Sequence, residues 1–188
     1  MKIHSIEADN FKLFTTNFHK IQDITNAEMI LFNGPNGYGK TSVFDIIEFC
    51  LTGEIKRISD YSDKLAIAKN EKFENKILIS DETKKAFVKL GLEDKGQKIE
   101  ICYSYNPIEK KKGGSKENNP HNIFDCFTRT IVCDGKGIQN QEEFLKRLQF
   151  DDIKEIFDKC CFLSQDEHLQ FLKTCLLYTS DAADEEDS

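Results

Sequence analysis

The stretch from Met29 to Leu51, MILFNGPNGYGKTSVFDIIEFCL, constrains what this chain can fold into more than any other. It reads as a short apolar strand (Met29, Ile30, Leu31, Phe32), a glycine-rich loop from Gly34 to Thr41, and an amphipathic helix with Val43, Ile46, Ile47, Cys50 and Leu51 on one face. Gly34 closes the strand. Gly37 and Gly39 permit positive φ and close backbone approach, so the N–H groups of Asn36, Gly37, Tyr38 and Gly39 can curl into a nest for an anion. A helix beginning near Lys40 aims the positive end of its dipole at the same place. Lys40 then supplies charge to the β- and γ-oxygens of a nucleotide, the Thr41 hydroxyl is placed to ligate Mg2+, and Ser42 is a weaker phosphate contact. The competing reading is a glycine-rich turn ahead of an ordinary helix. The full pattern G-x-x-x-x-G-K-[ST] between strand and helix favours nucleotide binding, with ATP and Mg2+ as the expected ligands.

A chain of 188 residues suits one domain, or one lobe of a larger one. Its seven cysteines include no C-x-x-C pair and mostly sit in apolar runs, so they read as small core hydrophobes of a reducing compartment rather than as disulfides or zinc ligands. No apolar run is long enough for a membrane helix, and the N-terminus MKIHSIEADNFKLF is charged and alternating rather than signal-like. The expectation is a cytoplasmic protein without membrane contact.

The C-terminal stretch CLLYTSDAADEEDS changes character abruptly, and Cys175 to Glu185 resembles a reading frame through a sequencing-library adapter. The expected division is therefore residues 1–174 as a native lobe and 175–188 as a non-native tail, the alternative being a genuine acidic tail. The tail holds five acids and no base, so setting it aside moves the formal charge from −7 to −2. A near-neutral chain with local lysine clusters leaves nucleic-acid contact open, where an acidic one argues against it.

Taken in order, residues 2–8 alternate and lead into Asn10-Phe11-Lys12-Leu13-Phe14, and a second strand is expected from Thr16 to Ile21 with Phe18 and Ile21 inward, then a turn from Asp23 to Ala27. Gly53 is the expected left-handed stop of the loop's helix. The stretch from Glu54 to Asn70 reads as a polar loop with one helical turn, and Ile77 to Ile79 as a weak pairing segment. Ala86 to Leu92 and Gln97 to Tyr105 form the clearest hairpin, turning within Glu93 to Gly96. Lys110-Lys111-Lys112 lies in a solvated insertion that could meet DNA phosphates. A strand follows at Phe127 to Cys133, then helices at Gln141 to Phe150 and Asp151 to Asp158, and a further helix begins at His168.

The order N-F-K near residue 11, G-P-N-G-Y-G-K-T-S at 34–42, F-x-x-x-G at 49–53 and F-L-S-Q-D-E at 162–167 resembles the N-terminal half of the head of SMC-like DNA-repair ATPases, in particular the SbcC type, over most of residues 1–174. The resemblance implies an α/β phosphate-loop NTPase lobe, a mixed β-sheet around the loop's helix with an antiparallel hairpin subdomain, interrupted where a coiled coil should leave. It implies a head-to-head homodimer that hydrolyses ATP while engaging DNA, with a nuclease subunit as partner in double-strand-break repair or end processing. By the same resemblance Gln165 is the loop glutamine that touches Mg2+ and orients the attacking water, a role for which a neutral amide, both donor and acceptor, is suited. Lys12 would approach the nucleotide phosphates. Arg57 reads as a surface arginine, with a place near nucleotide or DNA as the alternative. Tyr38 departs from the family, which has a small residue there. The signature motif, the Walker B acid and the catalytic glutamate are not identifiable, so this chain alone should hydrolyse ATP barely. Two rivals remain at this stage: a small phosphate-loop kinase, for which only Arg57, Arg129 and Arg147 are available as lid arginines, and a non-hydrolysing, nucleotide-gated interaction module.

Overall fold

Alternation of buried and exposed side chains along the hairpin strands marks the core of a six-stranded sheet. The structure, a computed structural model, describes residues 1–15, 19–60, 78–109 and 124–148, together with Ile153. Its strands are β1 (Lys2–Asp9), β2 (His19–Ile21), β3 (Ala86–Asp94), β4 (Gln97–Tyr105), β5 (Thr128–Cys133) and β6 (Lys136–Gly137), in the order β2-β1-β3-β4-β5-β6, every neighbour antiparallel. The helices include α1 (Lys40–Thr52) and α2 (Gln141–Arg147), and residues 56–60 are also helical, as expected within the stretch from Glu54 to Asn70.

The expected hairpin is the middle of this sheet. Val88 faces Tyr103, Leu90 faces Ile101 and Leu92 faces Ile99, all buried, and Ile131 of β5 extends the same row. Lys95 and Gly96 turn it with φ of 50° and 82°, the left-handed pair that matches the natural twist of a two-residue hairpin. β1 continues the buried row with Ile6 opposite Leu90 and Ala8 opposite Val88. On the other face, buried Glu7 is held by Lys89 at 3.0 Å and Lys20 at 3.2 Å across the strands.

Helix α1 lies on β1, β3 and β4. Phe49 is fully buried at the contact, its ring 4.4 Å from Tyr103, 5.3 Å from Phe127 and 6.3 Å from Phe11 between centroids. Val43, Ile46 and Cys50 are buried as expected, whereas Ile47 and Leu51 are only half-buried, because the inward stripe is centred on Ile46 and Phe49 and also takes in Ser42, Asp45 and Glu48. Gly53 ends the helix at φ 83°, its N–H donating to the Phe49 carbonyl at 2.9 Å.

Several boundaries differ from the sequence reading. The strand expected at Met29 to Phe32 does not form: those residues are irregular, and Leu31 is 81% exposed. A strand needs a ladder partner, and no described strand pairs with this run. The second strand is described only at His19–Ile21, with Phe18 outside the described residues. Ile79 pairs as a single bridge with Phe11. Helix α2 ends at Arg147 and starts from Asn140, whose side chain accepts from the Glu143 N–H. The short strand β6, turned by Asp134 and Gly135 at positive φ, was not anticipated. Of the described cysteines, Cys50 is buried while Cys102, Cys126 and Cys133 are half-buried, and none of the four is in a disulfide. The Lys110–Lys112 cluster, the 175–188 tail and, apart from Ile153, the helices expected after residue 150 lie outside the described residues. Met1–Leu148 form one compact unit, and residues 149–188 another.

Candidate functional site

The loop Gly34 to Gly39 delivers the chain from the irregular 29–32 segment to the N-terminus of α1. Gly37 has φ 85° and Gly39, the residue preceding the helix, φ 84°, left-handed conformations that a side chain would strain and that a phosphate-binding nest uses. No side chain caps α1 and no acid occupies its first turn, so nothing in the helix's own sequence cancels its positive end. A loop of this shape fits a phosphate.

Lys40 starts the helix and folds its ammonium back over the loop, where Nζ donates to the Gly34 carbonyl at 2.5 Å and the Pro35 carbonyl at 2.8 Å. The expected phosphate-binding cation is thus held across the nest by the loop's own backbone. Asn36 and Thr41 are exposed, Tyr38 is 77% exposed, and Ser42 is buried. Gln165, the expected metal-contacting amide, lies outside the described residues. Among the described residues no three His, Cys, Asp or Glu side chains come together as a metal site.

Lys12 occupies a tight turn built from Asn10 to Phe14. Phe11 and Phe14 exchange backbone hydrogen bonds of 2.9 and 3.2 Å, and the Phe14 ring lies against Gly39, where an added Cβ would meet it at 3.5 Å. The N-F-K turn therefore abuts the phosphate loop. Its position is fixed from behind: the Lys12 N–H donates to the Leu78 carbonyl at 2.9 Å, and buried Asn10 donates to the Asp81 carbonyl at 2.7 Å while accepting the Asp81 N–H at 2.9 Å.

The Lys12 ammonium itself is not over the loop. It pairs with Asp45 of α1 at 2.5 Å, and Arg57 grips the same carboxylate, Nε to Oδ1 at 2.9 Å and a terminal nitrogen to Oδ2 at 2.5 Å. Asp45 is 2% exposed, Lys12 9% and Arg57 48% by side chain. Burial pulls the Lys12 pKa below its ordinary value, with Asp45 opposing, whereas the hydrogen bond to Asp45 raises that of Arg57. Sequence reasoning missed Asp45. The available signal was a carboxylate on the helix's inward stripe, which requires a cation when buried.

A glycine nest opening a helix that packs on a sheet defines a phosphate-loop nucleotide-binding domain. A family model described as AAA domain matches residues 5–187, and the chain belongs to that family of ATPases. Among solved structures, a chain from work described as the structural biochemistry of ATP-driven dimerization and DNA-stimulated activation of SMC ATPases aligns with a TM-score of 0.53 at 16% identity, over 92% of each chain. The fold is thus shared with that SMC ATPase chain. No protein of curated function matches this sequence. No helix among the described residues is long and apolar enough to cross a membrane.

Proposed function

We propose that this chain is the N-terminal lobe of an SMC-like, SbcC-type ATPase head that binds ATP with Mg2+. The loop carries the reading: Gly37 and Gly39 at positive φ, the uncapped start of α1 and Lys40 laid across the loop form a polyphosphate cradle. Lys40 and the loop N–H groups would hold the β- and γ-phosphates, and Thr41 and Gln165 the metal, whose charge would offset that of the phosphates. The related SMC ATPases undergo ATP-driven dimerization and DNA-stimulated activation, which supports a head-to-head dimer engaging DNA here, with a nuclease subunit in double-strand-break repair or end processing. The exposed apolar residues Met29, Ile30 and Leu31 support a division of the head into lobes, because a β-prone run leading straight into the cradle has no strand partner among the described residues.

The test is ATP affinity of the 188-residue chain with and without Mg2+. Lys40→Ala should weaken binding roughly 10- to 100-fold, the worth of a charge-assisted contact. Gln165→Ala should leave metal-free binding intact and reduce the gain from Mg2+. Equal affinity for Lys40→Ala and the parent chain would overturn the nucleotide reading. The parent chain alone should turn over ATP barely, because the signature motif, the Walker B acid and the catalytic glutamate are not identifiable in it.

A further inference from the structure

Resting on the nucleotide-binding reading, the geometry points to Asp45 as a positioning residue that shares two cations and hands one of them, Lys12, to the nucleotide phosphates while Arg57 stays behind. Two cations, Lys12 and Arg57, converge on the single carboxylate of Asp45, on the helix that begins at the phosphate loop. The two contacts to Asp45 are not equally needed. Arg57 alone covers both oxygens of Asp45, and Lys12 adds a second donor to Oδ2. Departure of Lys12 leaves each oxygen of the buried carboxylate bonded; departure of Arg57 would strip Oδ1 of the donor the structure gives it. An unpaired buried charge is strongly destabilising, so the cation that can move is the one whose loss leaves none.

Mechanics agree. A planar guanidinium fork on two oxygens is a fixed clamp, whereas an ammonium on a four-carbon stem can change partner by rotation alone. The Lys12 backbone is pinned to Leu78 and Ser80, so only the side chain has to move. Its turn already touches the loop through Phe14 and Gly39. Burial disfavours the charged ammonium where it now lies. The remaining nearby carboxylate, Glu48, is engaged by the Lys56 N–H at 2.7 Å.

A cation stored on Asp45 lowers apparent nucleotide affinity by the fraction of time it is stored. Asp45→Asn should therefore bind the magnesium complex of adenylyl-imidodiphosphate roughly 3- to 10-fold more tightly than the parent chain, and the gain should vanish in Asp45→Asn/Lys12→Ala compared with Lys12→Ala. A gain that survives without Lys12 would reveal a general field effect and overturn the exchange, as would unchanged or weaker binding in Asp45→Asn. Lys40→Ala separates the two claims. Its normal loss of binding beside an unmoved Asp45→Asn sinks only the exchange, whereas parent-like binding by Lys40→Ala sinks the nucleotide reading and the exchange with it. Should Asp45→Asn not fold, lysine side-chain 15N spectra of the parent chain decide. The Lys12 ammonium signal, assigned by its loss in Lys12→Arg, should shift on saturation with the analogue, and a stationary signal refutes the proposal.

Discussion

Ala86 to Leu92 and Met29 to Phe32 are both apolar, β-prone runs, yet one is a central strand and the other is exposed coil. The hairpin strand has β1 on one side and β4 on the other, so its peptide groups are paired and its Val88, Leu90 and Leu92 meet complementary apolar residues. The 29–32 run leads into the phosphate loop with no described strand beside it, and Phe32 packs edge-on to Phe44 at 6.1 Å. Hydrophobicity sets the wish to pair; the presence of an edge decides the outcome.

That contrast can be attacked where the sheet is strongest. Phe49→Ala removes the ring at the meeting point of α1 and the hairpin and should cost about 3–5 kcal/mol in denaturant unfolding; a cost near zero would mean α1 is not what anchors the loop to the sheet. Asn10→Ala, which strands the Asp81 backbone groups, should cost about 1–3 kcal/mol. Gly96→Ala forces a side chain into the left-handed hairpin turn at φ 82° and should cost roughly 1 kcal/mol. Leu31→Ala should stay within about 0.5 kcal/mol, as for any exposed position. A large loss at Leu31 would break the comparison by showing the 29–32 run to be packed, and hydrogen exchange would sharpen it, with amides of β3 and β4 protected and those of 29–32 exchanging fast.

The same contrast explains what could be read in advance. The hairpin, α1, its Gly53 stop and the glycine loop were legible because their signals are local: period-two alternation, an inward helical stripe and glycines where positive φ is needed. The 29–32 run was misread because its composition reports β-preference but not the partner a strand requires. Lys12 was legible as a residue of interest near the loop, but its partner was not, since residues 12, 45 and 57 are brought together only by the packing of the N-F-K turn on α1. Arg57, read as a surface arginine, proves half-exposed and tied to Asp45. The role of Gln165 lies outside the described residues and stands as a proposal.

Asp45 and Glu48 sit one turn apart on α1, and each holds the chain that follows the helix, the first through the Arg57 guanidinium and the second through the Lys56 N–H. For a lineage carrying this gene, position 45 is therefore not free to drift by itself. A first mutation to an apolar residue strands two cations, and repair demands further changes at 12 and 57, so the path to a neutral cluster crosses unfit intermediates. In a library randomised at 12, 45 and 57, survivors should arrive as matched sets rather than as single substitutions.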